Sequence, residues 1–423
     1  MEIESCSWHK DGLYFLSHLF GGIMISCALL RFFTKNLPKM PHLLRGSNSK
    51  KPAKKKVRVY IDGCFDLMHY GHANALRQAK ALGDELVVGV ASDEEIILYK
   101  GPPVLSMQER LTLVNGLKWV DEVIPDVPYV ITEDFMNVLF NEYKIDYIVH
   151  GDDPCILSDG TDAYGLAKKA GRYKQIKRTE GVSSTDIVGR ILSSADYVKK
   201  GKVSASSSQP TVSDEFETAK FNKSLPNSGH ISHFLPTSRR ISQFSSHKAP
   251  GPNSRVVYID GAFDLFHAGH VKILKKAKQL GDFLLVGLYA DQTVSWLRGD
   301  RFPLMNLLER SLSVLACQYV DDIIIGAPFA VTKDMISTFN ISLVVRGSIS
   351  EDNNPLLWDG AASDPYDVPK GMGIFRNLES PEVITTSSIA ERIIANHEIY
   401  LKRNAKKEKS EKQYYAEKKY VAA

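Results

Sequence analysis

Two stretches of this 423-residue chain are copies of one another, and that duplication limits the fold more than any other feature. Residues 57–93 read VRVYIDGCFDLMHYGHANALRQAKALGDELVVGVASD, and residues 255–291 read RVVYIDGAFDLFHAGHVKILKKAKQLGDFLLVGLYAD. They align without a gap and agree at about 21 of 37 positions. The match continues in ERLTLVNGLKWVDEVI (109–124) against ERSLSVLACQYVDDII (309–324). It persists more faintly in DYIVHGDD (146–153) against LVVRGSIS (343–350), and in STDIVGRIL (184–192) against SSIAERIIA (387–395). One structural unit is therefore built twice, and the length suits two domains, placed at 57–198 and 255–397.

Within a unit, strands and helices alternate. Arg58–Asp62 is a β-branched strand, Ala73–Leu82 an amphipathic helix stopped by Gly83, and Leu86–Ala91 a nearly continuous apolar run. Such a run suits a parallel strand covered on both faces. Ser106 with Glu109 forms a capping box for the next helix, and Ser183 with Asp186 opens the last one. Asp121–Ile124 and Tyr147–His150 read as strands, with a helix from Thr132 between them. This order predicts an α/β chain of two tandem Rossmann-like domains, each a doubly wound parallel sheet. Ligands of such sheets sit beyond the carboxyl ends of the strands.

The segments outside the repeats differ in kind. Leu13 to Leu30 (LYFLSHLFGGIMISCALL) lacks formal charge apart from His18, and basic residues such as Arg31, Lys35 and Lys50 to Lys56 follow it. Its length matches the short end of a membrane span. The flanking charges place the N-terminus outside and the rest in the cytosol. Residues 1–56 are thus expected to be a membrane anchor with a basic linker; a buried or interfacial helix is the alternative. Of the membranes such a span suits, the mitochondrial outer membrane is favoured over the endoplasmic reticulum. Residues 199–254 are rich in Ser, Pro, Asn and Lys and read as a flexible linker, with Arg239-Arg240-Ile241-Ser242 as a weak kinase-target pattern. The tail, 398–423, alternates charges and reads as a solvated helix. A net charge of +4 over this length gives no nucleic-acid footprint. The five cysteines are scattered, with neither a C-x-x-C pair nor a Cys/His cluster, so a disulfide framework and a zinc site are not expected.

The chemistry is concentrated where the first strand ends, in Asp62-Gly63-Cys64-Phe65-Asp66-Leu67-Met68-His69-Tyr70-Gly71-His72. Two histidines three apart at a helix start share a face, and Gly71 between them leaves the backbone bare for close approach of a ligand. Helix N–H groups and the helix dipole favour an anion there. The pattern suits phosphate chemistry better than a metal, because H-x-x-H lacks a third ligand nearby.

His69-Tyr70-Gly71-His72 after Phe65-Asp66 resembles the H-x-G-H signature of the nucleotidyltransferase superfamily. Arg178-Thr179-Glu180-Gly181-Val182-Ser183-Ser184-Thr185 is similar to an element particular to its cytidylyltransferase branch, and Lys118 to Val123 resembles a further segment of that branch. Choline-phosphate cytidylyltransferases carry one such domain and ethanolamine-phosphate cytidylyltransferases carry two joined by a linker, so the tandem architecture resembles the latter. The resemblance implies in-line attack of phosphoethanolamine on the α-phosphorus of CTP, releasing pyrophosphate, with Mg2+ accompanying CTP and no dedicated metal cage. It implies His69, His72, Lys100 and Arg178 as catalytic residues. Cys64, Phe65, Asp66, His150, Gly151, Asp152, Asp153, Thr179, Glu180, Gly181, Ser183, Ser184 and Thr185 would bind CTP, with His150 to Asp153 facing the cytosine and the hydroxyls of Ser183 to Thr185 the outer phosphates. Choline-phosphate transfer is the rival within the class; a membrane-tethered nucleotide sensor without turnover is the rival outside it. Tyr129, Tyr147 and Tyr164 are too scattered to read as an aromatic cage for a trimethylammonium group.

The second copy keeps Phe263, Asp264, His267, Gly269 and His270, but Arg298-Gly299 stands for Lys100-Gly101. Arg346-Gly347-Ser348-Ile349 replaces His150 to Asp153, and Ser380-Pro381-Glu382-Val383 replaces Arg178 to Gly181. The first copy is expected to turn over. The second either binds CTP through Ala262, Phe263, His267, His270, Arg298, Arg346, Gly347, Ile384, Thr385, Thr386 and Ser387, or packs on the first as an intrachain pseudo-dimer. Whether two chains then form a homo-oligomer is left open.

Overall fold

The computed structural model describes residues 55–153, 155–157, 160–201, 234–351 and 364–417. In the first copy the order is β1 (Arg58–Gly63), α1 (Tyr70–Lys80), β2 (Glu85–Ala91), α2 (Asp93–Tyr99), α3 (Met107–Asn115), β3 (Glu122–Val127), α4 (Glu133–Asn141), β4 (Tyr147–Gly151), α5 (Gly165–Lys169), β5 (Tyr173–Ile176) and α6 (Ser184–Gly201). A helix outside the repeats follows, α7 (Phe234–Phe244). The second copy runs β6 (Val256–Gly261), α8 (Ala268–Lys278), β7 (Phe283–Tyr289), α9 (Asp291–Arg298), α10 (Leu307–Ala316), β8 (Asp322–Ala327), α11 (Lys333–Thr338), β9 (Ile341–Gly347), α12 (Asp367–Gly371), β10 (Phe375–Leu378) and α13 (Thr386–Ala395). The chain closes on α14 (His397–Glu417).

Each copy forms a five-stranded sheet, in order β3-β2-β1-β4-β5 and β10-β9-β6-β7-β8. Every strand pairing is parallel. In register, Ile61 lies opposite Val88 on one side and Val149 on the other, and Ile259 repeats this with Val286 and Val345. β2 is buried over Leu86–Ala91 and β7 over its whole length, as sheets covered on both faces require. The chain leaves β1 toward β2 on one side and returns as β4 on the other. The crevice of this topology therefore opens at the carboxyl ends of β1 and β4, and of β6 and β9.

The two copies share one hydrophobic core, which includes Leu67, Leu113 and Ile187 of the first and Leu265, Leu312 and Ile389 of the second. Their helices meet around α10, of which Glu309 to Ala316 are all buried. Around this contact the ion pairs are reciprocal: Arg190 grips Glu309 through two 2.8 Å bonds, and Arg392 grips Glu109 at 2.8 and 2.9 Å. Lys118 N–H donates to the Ala316 carbonyl (3.0 Å) and Gln318 N–H to the Gly116 carbonyl (2.8 Å), joining the chain ends of α3 and α10. The pseudo-dimer expected from the repeat is thus a packed intrachain interface.

Two expectations are corrected. Residues 234–244 of the segment read as a linker are helical: Phe244 is buried and meets Trp119 edge-on at 5.2 Å, while Ile241 packs beside the core. Arg239 to Ser242 therefore lie within α7. The tail is a helix, but its first turns are docked rather than solvated. Tyr400 is buried with its hydroxyl on the Pro103 carbonyl (3.1 Å), and Asn404 donates to the Thr185 carbonyl (3.0 Å). The apolar stretch 13–30 lies outside the described residues; among those, no helix is long and apolar enough to cross a membrane.

Candidate active site

Between β1 and α1 the chain turns through residues 64–69 at the sheet's carboxyl edge. Phe65 (φ 50°) and Leu67 (φ 48°) adopt left-handed backbone, and Phe263 (φ 50°) and Leu265 (φ 43°) repeat it. Such residues cost on the order of 1–3 kcal/mol each and need surroundings that enforce them. Here the enforcement is visible. Asp66 is buried and its carboxylate accepts the N–H groups of Val104 and Leu105, both at 3.0 Å. Arg110, wholly buried, donates to the carbonyls of Cys64 (2.8 Å) and Ala91 (2.9 Å) and to Asp93 (2.5 Å). Asp264 and Arg310 make the matching contacts in the second copy. Asp66, expected to bind CTP, clamps this turn to the loop that follows Lys100.

The histidine pair is set by the start of α1. Gly71 N–H donates to His69 Nδ1 (3.1 Å) and His69 N–H to His72 Nδ1 (3.4 Å). An N–H donates only to a bare ring nitrogen, so both imidazoles carry their proton on Nε2. Their rings stack at 4.0 Å, and Phe65 stands edge-on to His72 at 5.8 Å. Burial, then the His72 ring and the charges of Lys407 and Arg178, hold His69 well below its ordinary pKa. Burial with Lys407, Lys100 and Arg178 lowers His72 to about 3. The pair is therefore neutral at neutral pH and offers two Nε2–H donors. Gly71 also has a reason within the fold. A Cβ there would lie 2.8 Å from the His69 ring and 3.0 Å from Val182, so the missing side chain makes room for the imidazole.

Other predicted residues converge on this turn. Lys100 caps α2, with Nζ 3.5 Å from Cys64 Sγ and 5.1 Å from the centre of the Tyr129 ring. Cys64, with Tyr129, raises its pKa against burial, so it stays cationic. At the end of β4, His150 lies against Tyr164 at 4.3 Å, and the Tyr164 hydroxyl donates to Asp62 (2.6 Å). Burial raises the Asp62 carboxyl, opposed by that bond. Arg178 joins the two predicted loops: its N–H donates to Asp152 (2.9 Å) and its guanidinium stands 3.7 Å from Asp153. Gly151 admits this turn, since a Cβ would come within 2.4 Å of Asp153 Oδ1. Thr179 accepts from Asn74 of α1 (2.9 Å), Gly181 has φ +83°, and Glu180 is exposed.

The hydroxyls at the start of α6 are otherwise engaged than expected. Ser183 accepts from Asp186 N–H (3.1 Å) and donates to its carboxylate (2.8 Å), and Ser184 donates to the Asp66 carbonyl (3.1 Å). Both hydroxyls are engaged within the fold, Ser183 at the helix start and Ser184 with the turn, so an anion there meets chiefly backbone N–H groups and the dipole. Thr185 is buried.

In the second copy, His267 and His270 stack at 3.7 Å and line a cleft of ≈ 160 Å³ together with Ala262, Phe263, Arg298, Arg346 and Gly347. Ile384, Thr385 and Thr386 line its far wall, and Ser387 follows at the helix start. Burial lowers His267 to about 4 and His270 well below its ordinary value.

Four side chains had no role assigned from the sequence. Arg110 and Arg310 belong to the Glu-Arg pair shared by both repeats, a signal that was present but unassigned. Tyr164 is fixed by a bond to a residue 102 positions away, which no local pattern reveals. The tail contributes Arg403, which donates to the Pro102 carbonyl (2.9 Å) and stands 3.7 Å from Asp66.

Comparison with known proteins shows the family. A cytidylyltransferase-like family profile matches residues 60–190 and 258–392. The chain is 63% identical over 374 residues to the ethanolamine-phosphate cytidylyltransferase of Arabidopsis thaliana, covering 87% of each chain. It is 48% identical to that of Dictyostelium discoideum, over 85% of this chain and 96% of the relative. Choline-phosphate cytidylyltransferase 2 of Arabidopsis thaliana matches at 44% identity over 32% of this chain and 45% of its own.

Proposed function

Because this chain belongs to the cytidylyltransferase-like family, and within it to the ethanolamine-phosphate cytidylyltransferases, we propose that it converts CTP and phosphoethanolamine to CDP-ethanolamine and pyrophosphate. The observation that carries this is the stacked, neutral pair His69 and His72, both protonated on Nε2, at the phosphate-favouring start of α1. A phosphoethanolamine oxygen attacks the α-phosphorus, and the bond from that phosphorus to the bridging oxygen breaks as pyrophosphate leaves. Both reactants are anions, so positioning and charge neutralisation supply most of the acceleration. His69 and His72 donate to the α-phosphoryl oxygens as charge builds there. Lys100 lies close enough to Cys64 on the same turn to draw the two substrates together. Arg178 neutralises phosphate once it exchanges Asp153 for the ligand. His150 and Tyr164, tied to Asp62, form the wall for the cytosine.

Mg2+ comes with CTP in this proposal. Among the described residues no three His, Cys, Asp or Glu side chains converge on a point. When bound, the ion neutralises charge on the departing pyrophosphate. The apolar stretch 13–30 and its basic flank support anchoring to a membrane, with the mitochondrial outer membrane favoured.

The tandem architecture and the full-length relatives favour the ethanolamine substrate over choline. A panel of phosphorylated alcohols with CTP tests it: pyrophosphate release should be fastest with phosphoethanolamine. Preference for phosphocholine would overturn the substrate, and CTP binding without product would support a sensor instead.

A further inference from the structure

The two copies share several contacts at their phosphate-facing turns but differ at the helix start. In both, the first helical hydroxyl is tied to the turn: Ser184 to the Asp66 carbonyl (3.1 Å), Thr386 to the Asp264 carbonyl (2.9 Å). In both, the second histidine accepts the N–H of the first, at 3.4 and 3.3 Å. In the second copy, however, a carboxylate fills the helix start. Glu351 Oε1 accepts the Ser387 N–H (2.9 Å), Glu351 Oε2 accepts the Thr386 N–H (3.2 Å), and Arg298 Nη2 lies 2.9 Å from that same Oε2.

We propose that the Glu351 carboxylate is the resident anion of the second copy's phosphate site, occupying the donors that a nucleotide's phosphates would otherwise take. Two adjacent backbone N–H groups at a helix start plus one guanidinium make a donor set suited to two oxygens of a phosphate. The Arg298 side chain is only 4% exposed. A buried guanidinium without an anion is costly, and the chain supplies that anion itself. Although burial opposes it, Arg298 and the α13 N–H groups hold the Glu351 carboxyl below its ordinary pKa, so it is ionised. The site has capacity beyond this occupant: His267 Nδ1 and Arg298 Nε are buried without partners, and His267 lines the same cleft. At ≈ 160 Å³ that cleft is smaller than the roughly 300–1,000 Å³ of ordinary small-molecule sites. The second copy is accordingly a closed relic of the same site, and one charge keeps it closed.

Titration calorimetry of the full chain with inorganic tripolyphosphate tests this. Glu351→Ala should bind one more equivalent than the unaltered chain, and tripolyphosphate should restore thermal stability that the substitution removes. Adding Arg298→Ala to Glu351→Ala should abolish the extra equivalent. If Glu351→Ala does not fold, Glu351→Gln, which preserves the packing, should bind the additional tripolyphosphate at least about tenfold more tightly than the unaltered chain, as expected on removing one like charge from an anion site. An unchanged stoichiometry in folded Glu351→Ala, no tightening in Glu351→Gln, or two equivalents already bound by the unaltered chain would each overturn it.

Discussion

The ring nitrogens of His69 and His72 nearest the backbone are taken by N–H groups, which fixes the tautomer and leaves the outer N–H as donor. The consequence is measurable without substrate. A histidine of the unfolded chain titrates near 6.5, whereas His72 in the fold titrates at about 3. Between those values the unfolded chain binds the extra proton, so this contribution to stability is full above pH 6.5 and is lost as the pH falls toward 3. Asp260, raised by burial to about 6, acts oppositely, its stabilisation fading as pH rises through 6, so the comparison must be differential. His72→Asn should reduce the pH dependence of stability between pH 6 and 4.5 by up to about 1.4 kcal/mol per pH unit, one proton's worth. Urea midpoints across that range check it, and parallel profiles for the two proteins would contradict it. The pair was legible in the sequence because its geometry is local. The duties of Asp66 and Gly71 were not: a carboxylate clamping a loop 38 residues on, and a glycine sparing an imidazole, depend on what the fold brings near.

Among the elements, α14 departs most from its sequence. Its charge alternation describes the exposed face, while Tyr400, Arg403 and Asn404 share the opposite one and fasten Pro103, Pro102 and Thr185. These contacts bracket the Lys100 loop and the start of α6, so the helix positions first-copy residues without itself holding substrate. Arg403→Ala should lower kcat by roughly tenfold, as expected when a positioned catalytic group is loosened. The CTP KM should change little, and Arg403→Lys should recover part of the loss. Steady-state kinetics read this split; loss of thermal stability with unaltered kcat would mean that the helix only supports the fold. The helix 234–244 escaped for a related reason. Surrounding Ser and Pro hide the apolar residues Ile241 and Phe244; Phe244 meets Trp119, beyond the end of α3, and the helix packs on α10. The strands and the carboxyl-end crevice were readable because periodicity and the repeat specify them twice.

At the scale of the molecule, duplication supplies a shared core and reciprocal Arg–Glu clasps, while divergence removes chemistry from one side. Lys100 and Arg178 remain in the first copy; Arg298 and Glu351 neutralise each other in the second. Such asymmetry was partly visible in the replaced motifs, but the occupant of the second site was not, because Glu351 matches no motif and acts only through its placement. The most direct test compares one substitution made in each copy. With CTP and phosphoethanolamine, His69→Ala should lower kcat by at least about 10²-fold, the scale of losing a transition-state donor, while His267→Ala should leave it within about threefold. Equal losses, or loss only in His267→Ala, would contradict a first copy that carries the chemistry.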